Sequence, residues 1–416
     1  MSLAETRPAI AASVIAAAAL ALATCGPESA PQSAVAFTES DSAGIAIVDN
    51  VFSAIPGEWT VSTEPTWSLG GLSAPDEQQL SRVNGGRRLP DGRVVIANAG
   101  SAEVRVYGPD RSLLASYGRK GDGPGEFQRP GLQAVRNDSV YVFDSQHHRV
   151  SIVHLDEGFA RSYEVDWTGT GFPVARGLLA DGSLAIGGGM SFGSDDGFPT
   201  GVIRPESTFG WVAPDGTTET RIGDRPAAEM FAQANDQGFI ARMLPFSRVT
   251  AAAVADHGLW LGTGDSYELR RYGAGGALER ILRINAPTVA TTGAMLDAYV
   301  EGRVDEGPEG DDQRREIRQQ LREMPIADHL PPFRELLVDR LGNLWAADYG
   351  PPADDSQMWT VFDIDGRVMG RIRTPDRTGL LDVGEDYVLG LTTDEFDVES
   401  LTVWTLARAV AQGDHS

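Results

Sequence analysis

The chain has a single cysteine, Cys25, among 416 residues. One thiol cannot close an internal disulfide, so no disulfide framework holds this fold. Basic residues are also short relative to acidic ones: 35 Lys and Arg against 59 Asp and Glu, a net charge of −24. A surface that acidic repels a phosphate backbone and excludes nucleic acid as a partner. It is a poor match for an anionic membrane surface as well. Compact metal-ligand spacings are missing too. The six histidines, His147, His148, His154, His257, His329 and His415, form no HExxH or comparable pattern. After the first twenty-five residues, no apolar run approaches the length that spans a bilayer. Punctuation, by contrast, is plentiful. With 48 Gly and 24 Pro the chain is rich in turn formers, and 41% hydrophobic residues suffice for a sizeable core.

The amino terminus carries an address. Residues 9–23 are nearly all Ala, Ile, Leu and Val, with Arg7 ahead of them. That run is too short to cross a bilayer and has the length of a signal h-region. It ends in Leu22-Ala23-Thr24-Cys25-Gly26, which resembles the lipobox of bacterial lipoproteins, with Thr24 in place of the usual Gly, Ala or Ser. The resemblance implies removal of residues 1–24 as a signal peptide and lipidation of Cys25 as the new amino terminus. The partner so implied is a membrane, reached through the lipid. With Gly26 and not Asp after the cysteine, the implied location is the outer membrane of the bacterial envelope. A plain secretory signal, giving a periplasmic or secreted product, is the alternative. Residues 25–43, rich in Ser, Ala, Pro and Glu, read as a flexible tether.

The rest of the chain repeats. The clearest unit starts at the turn Asp91-Gly92. A β-branched strand, Arg93-Val94-Val95-Ile96-Ala97, leads to a turn at Ala99-Gly100-Ser101 and an alternating strand, Glu103-Val104-Arg105-Val106-Tyr107. After Gly108-Pro109-Asp110 a third strand begins at Leu113. Short strands punctuated in this way form an antiparallel meander. The cadence returns from Ser139, Asp181, His257, Leu341 and Tyr387, which makes six units. A further strand precedes each, as at residues 132–135 and 335–338. Four strands per unit, repeated about every 40–50 residues, is the propeller pattern. The fold class is therefore all-β, a six-bladed β-propeller over residues 44–408.

Gly118-Arg119-Lys120-Gly121-Asp122-Gly123-Pro124-Gly125-Glu126-Phe127, followed by Pro130-Gly131, resembles the linker between NHL-type repeats. So does Asp144-Ser145-Gln146-His147-His148-Arg149-Val150, with His147 where those repeats usually carry Asn. With its lipoprotein start, the whole chain looks like the bacterial six-bladed β-propeller lipoproteins of unassigned function.

A propeller must close its ring, or its last blade leaves an open edge. The sixth unit runs out of chain after its third strand. Trp67-Ser68-Leu69-Gly70 matches Ala115-Ser116-Tyr117-Gly118 in shape. The amino-terminal segment near Trp67 is thus expected to supply the missing outer strand, with residues 44–48 adding to the same edge. One stretch, residues 288–328, breaks the cadence. Met295, Leu296, Tyr299 and Val300 recur at helical spacing, as do Ile317, Leu321 and Met324. This predicts a small helical insertion, read as a decoration packing one stripe on the propeller. A cap over one channel mouth is its functional alternative.

Local motifs for chemistry are weak. Gly189-Met190-Ser191-Phe192-Gly193 fits the G-x-S-x-G pattern, but helix breakers follow where a nucleophile elbow needs a helix. Asp-rich turns at Asp195-Asp196 and Asp354-Asp355 complete no calcium loop and read as turn chemistry. The channel is more informative. Arg82, Asn84, Arg176, Arg248 and Arg334 stand just before or within the inner strands, which line the axis of a propeller. Four arginines near one axis in so acidic a chain would make a positive focus suited to carboxylate or phosphate ligands. Pairing of each with a neighbouring acid is the competing arrangement.

The reading is a monomeric cell-envelope lipoprotein propeller that acts as a ligand- or protein-binding module, its partner a small molecule, a carbohydrate or a protein. The alternative is a calcium-dependent hydrolase or lactonase with its site at the channel mouth. That enzyme needs Glu, Asn and Asp around a metal, for which the sequence offers Asn84 and Glu335. No cofactor and no metal site is predicted. A channel calcium ion, held from separate blades, would leave no local motif.

Overall fold

In the computed structural model, strand Val94–Asn98 is buried at all five positions. Successive side chains of a strand point to opposite faces. Val94 and Ile96 join a core with Leu389, Leu401 and Val403. Val95 and Ala97 join another with Leu132, Val140 and Val142. One strand therefore serves two cores, which requires a sheet on each side of it. The described residues are 37–408, apart from 191, 193–197, 236–237, 306, 308–309, 352–355 and 395. The signal peptide, Cys25, most of the expected tether and Ser191 lie outside them.

The same logic runs round the molecule. Antiparallel units follow in chain order, each with an inner strand: Val83–Arg88, Pro130–Arg136, Ala175–Leu178, Ala251–Ala255, Phe333–Val338 and Thr378–Val383. Between each unit and the next lies an apolar cluster. That between the third and fourth holds Phe209, Trp211, Leu259 and Tyr272, and that between the fifth and sixth holds Trp345, Trp359, Leu380 and Val388. The cluster between the sixth and the first, with Leu389, Leu401, Val94 and Tyr107, closes the circle. The chain is an all-β propeller.

Closure is covalent order made good by hydrogen bonds. Trp67–Gly70 pairs antiparallel with Glu399–Ala407, Leu69 opposite Leu401, and takes the outer position of the sixth unit. Glu58–Val61 lies parallel to Val368–Arg373 and antiparallel to the end of Glu399–Ala407, so it bridges the fifth and sixth units. The segment around residues 44–48 does not add to this edge, as expected, but to another. Ile45–Asn50 runs parallel to Leu278–Ile284 on the fourth unit. Val48 is fully buried there in the core between the fourth and fifth units. Asn50 fixes the register: its Nδ2 donates to the Gly366 carbonyl at 2.9 Å and its Oδ1 accepts from the Val368 amide at 2.8 Å. The stretch assigned to the tether also differs at its end. Phe37–Ser42 is a strand antiparallel to Ile45–Asn50. Ala43 and Gly44, both at positive φ (56° and 83°), form the tight turn between them.

Two insertions depart from the four-strand cadence. A separate three-stranded sheet, Gly201–Ile203, Met230–Asn235 and Gly238–Met243, grows from the third unit. Between the fourth and fifth units stand two helices, α1 (Gly293–Asp305) and α2 (Asp311–Glu323). Thr292 caps α1, its hydroxyl accepting from the Met295 amide at 3.2 Å. Asp311 and Asp312 place negative charge in the first turn of α2. The base of the hairpin is zipped where the chain leaves and returns: the Thr291 amide donates to Asp328 O and the Leu330 amide to Val289 O. No helix among the described residues is long and apolar enough to cross a membrane.

Candidate functional site

Two cavities lie along the axis. The first, of about 670 Å³, is lined by every inner strand, through Arg87, Gln133, Gly177, Ala252, Leu336 and Asp382 among others. Apart from Ala252, these residues sit in the middle or later parts of their strands. Much of the wall is Ala, Val and Leu, and its charged groups are mostly engaged. Arg87 and Arg340 both pair with Asp382, at 2.7 and 2.9 Å. Arg136 donates to the carbonyls of Leu178, Leu179 and Ala180.

The second cavity, of about 920 Å³, lies at the leading ends of the inner strands. Arg176 borders both and marks the neck between them. Arg334 and Glu335 enter from the start of Phe333–Val338, and Arg242 from the inserted sheet. Tyr299 and Arg303 reach in from α1, and Leu321 from α2. The helical insertion is therefore part of a cavity wall and more than a decoration on the propeller. The charged lining is four arginines and one glutamate, on a chain whose net charge is −24.

The state of each arginine follows from its partners. Arg176 donates from Nε to the Gly187 carbonyl at 2.9 Å. Burial pulls its guanidinium below its ordinary value, though an arginine stays charged. Neither the Arg334 nor the Arg242 guanidinium has a hydrogen-bond or ion-pair partner among the described residues. Glu335 sits deep among protein atoms yet keeps surface open to the cavity. Burial raises its carboxyl above the usual range, and the Arg334 charge opposes that only in part. Tyr349, also in the lining, is pushed up to about 12 by burial and the nearby Tyr299, against the pull of Arg334.

Of the five channel residues anticipated from sequence, Arg176 and Arg334 line this cavity together. Arg248 does not. Its Nε donates to Glu229 Oε1 at 2.9 Å and its Nη1 to Asp265 Oδ1 at 2.7 Å, the acid pairing that competes with a free site. Glu229 is buried, and two arginines share Asp265, since Arg204 meets it at 2.8 Å. Arg82 takes a left-handed backbone at φ 51° and lines neither cavity. Asn84 also lines neither, and its amide donates to the Pro130 carbonyl at 3.4 Å. Two of the four expected arginines, Arg176 and Arg334, are thus joined in this cavity by Arg242 and Arg303, and Arg82 and Arg248 are not. Arg242 and Arg303 come from insertions, where no repeat register points to them.

The metal-type pair Asn84 and Glu335 is not brought together in either cavity. Among the described residues no three His, Cys, Asp or Glu side chains gather closely enough to hold a metal ion. His147 serves the fold instead, bridging Asp122 at 2.9 Å and the fully buried Asp144 at 3.2 Å.

No protein-family model matches the sequence, and no curated protein matches it. Among solved structures the chain is similar to a Bacteroides fragilis protein at 11% identity, over 85% of this chain and 99% of that one, with a TM-score of 0.44. It is similar to virginiamycin B lyase from Staphylococcus aureus at 10% identity, over 82% and 99%, with a TM-score of 0.40. It is also similar to the calcium-binding protein regucalcin from Agrobacterium tumefaciens at 10% identity, over 85% and 97%, with a TM-score of 0.38.

Proposed function

We propose that this chain is an exported, lipid-anchored, six-bladed propeller with NHL-like repeats that binds a small anionic ligand at one end of its channel. Cys25 carries the lipid and tethers the propeller to the bacterial envelope, at the outer membrane. The ligand seats in the cavity beneath α1 and α2, its charge against Arg176 and Arg334. One observation carries this reading: four arginines and a single glutamate line a concave site on a chain of net charge −24. Elsewhere the acidic surface repels anions, so the field gathers them at this one mouth. Planar guanidinium groups match the oxygens of carboxylate and phosphate.

Thermal unfolding of the mature protein with increasing inorganic phosphate or succinate tests it. Both anions are expected to raise Tm in wild type by mass action, with the rise at least halved in Arg334→Gln. Equal rises in the two proteins would overturn the assignment of the site. Mass spectrometry of protein extracted from membranes is expected to find acyl chains on Cys25, and an unmodified thiol there would remove the anchor from the proposal.

A further inference from the structure

The lining of the second cavity is divided by chemistry. Arg176 and Arg334 stand on the side of the channel, at the starts of two inner strands. Against them stand Phe246, Tyr299, Leu321 and Met324, which make an apolar wall. Phe246 and Tyr299 meet edge to face at 5.5 Å between ring centres, and Phe246 meets Tyr349 at 6.5 Å. The wall has been built at some cost. Phe246 is fully buried with a left-handed backbone at φ 58°, a conformation that bulky residues rarely hold. Strain of this kind persists where packing over-determines it, and it concentrates at ligand sites. Met243 lies half exposed at the same cavity, an apolar and adaptable side chain left open to solvent. A bare inorganic anion would use the arginines and leave the open faces of Tyr299, Leu321 and Met243 wet.

We propose that the ligand is an amphipathic anion: a carboxylate or phosphate head held by Arg176 and Arg334, carried on an apolar body that covers Tyr299, Leu321 and Met243, in a wall whose buried members are Phe246 and Met324. This rests on the anion-binding reading above and adds the class of molecule to it. The cavity volume of about 920 Å³ is in the range that holds an organic ligand of drug size. Burying a chain of methylenes there adds affinity that an ion lacks, roughly fourfold per fully buried group.

Titration calorimetry of the mature protein with five probes separates the claims: octanoate, octyl phosphate, acetate, inorganic phosphate and octanol. Octanoate and octyl phosphate are expected to bind at least about tenfold more tightly than acetate and phosphate. Arg334→Gln is expected to remove most of that binding. The exposed Met243 gives a wall variant that should not disturb folding, and Met243→Ala with Leu321→Ala is expected to weaken octanoate about tenfold while leaving phosphate unchanged. If phosphate binds as tightly as octyl phosphate, the apolar body is wrong and the anion site stands. If octanol binds as well as octanoate, the arginines are not the head-group site. If no anion binds, the underlying reading fails as well. The ratio of octanoate to octyl phosphate affinity then assigns the head group as carboxylate or phosphate.

Discussion

Arg176 can hold a charge at the neck of the channel because Gly188 stands beside it. A Cβ on Gly188 would lie 2.0 Å from an Arg176 guanidinium nitrogen, and the backbone there is at φ 89°. No side chain fits both conditions. Gly188→Ala is therefore expected to push the mobile end of Arg176 out of position, at a stability cost of about 1 kcal/mol from the left-handed backbone. Phosphate binding should weaken several-fold in the same variant, measured by calorimetry. Unchanged affinity would mean that Arg176 does not reach the ligand. Part of this site was legible at residue scale. Arg176 and Arg334 lie near the starts of inner strands, and a repeat register places inner strands near the axis. Arg248 has the same sequence signature, yet Glu229 and Asp265 claim it. Glu229 stands just before the inserted strand Met230–Asn235 and Asp265 in the turn between Gly258–Gly262 and Glu268–Gly273, so nothing near Arg248 in sequence announces them.

At the scale of elements, the strands were legible because turns bracket them and burial on both faces selects β-branched residues. The inserted sheet was not. Gly201–Ile203 is only three residues long, and Met230–Asn235 and Gly238–Met243 fall outside the repeat that marks the strands of the units. The helices were legible from spacing, but their purpose was not, since Tyr299 and Leu321 look like any apolar stripe until the cavity is seen. The hairpin stands on a closed base, Ala290 bridging His329, so its ends are already together. Replacing residues 293–323 by a short Gly-Ser linker is accordingly expected to leave the strand signature in circular dichroism intact, because closing so short a gap costs little. Loss of the buried Val300 and Val304 should lower Tm by roughly 5–10 °C. Anion binding should fall by about tenfold or more, as water floods the site and screens the arginines. Retained affinity in this variant would show that the helices are decoration after all.

For the whole molecule the decisive step is joining the last unit to the first, and two devices do it at different radii. Trp67–Gly70 fastens the outer edge. Near the axis, Asp382 fastens three units at once. Its carboxylate accepts from Arg87 Nη1 at 2.7 Å and the Arg88 amide at 3.0 Å in the first unit, Arg340 Nε at 2.9 Å in the fifth, and Tyr387 Oη at 2.7 Å in its own. Burial alone would raise this carboxyl, but the Arg87 and Arg340 charges and the hydrogen bonds outweigh it, so it lies below its ordinary value of 3.8. The sign of its contribution follows. On acidification the unfolded carboxyl takes its proton first, near its ordinary value, while the folded one resists. The stability it supplies is complete above that ordinary value and is lost as pH falls through the lower folded one. Other carboxylates on a chain of charge −24 work in the opposite sense, since protonating them relieves mutual repulsion. A single substitution separates the two effects. Asp382→Asn is expected to cost about 1–3 kcal/mol at neutral pH, because the buried carboxylate loses its charge-assisted hydrogen bonds from two arginines that are themselves only partly buried. It cannot titrate, so the gap to wild type in urea midpoint should narrow between about pH 5 and pH 2. A gap that stays constant over that range would place the acid sensitivity elsewhere, and would leave closure of the ring to the paired strand Trp67–Gly70 and the apolar contacts of Leu69, Val94, Leu389 and Leu401.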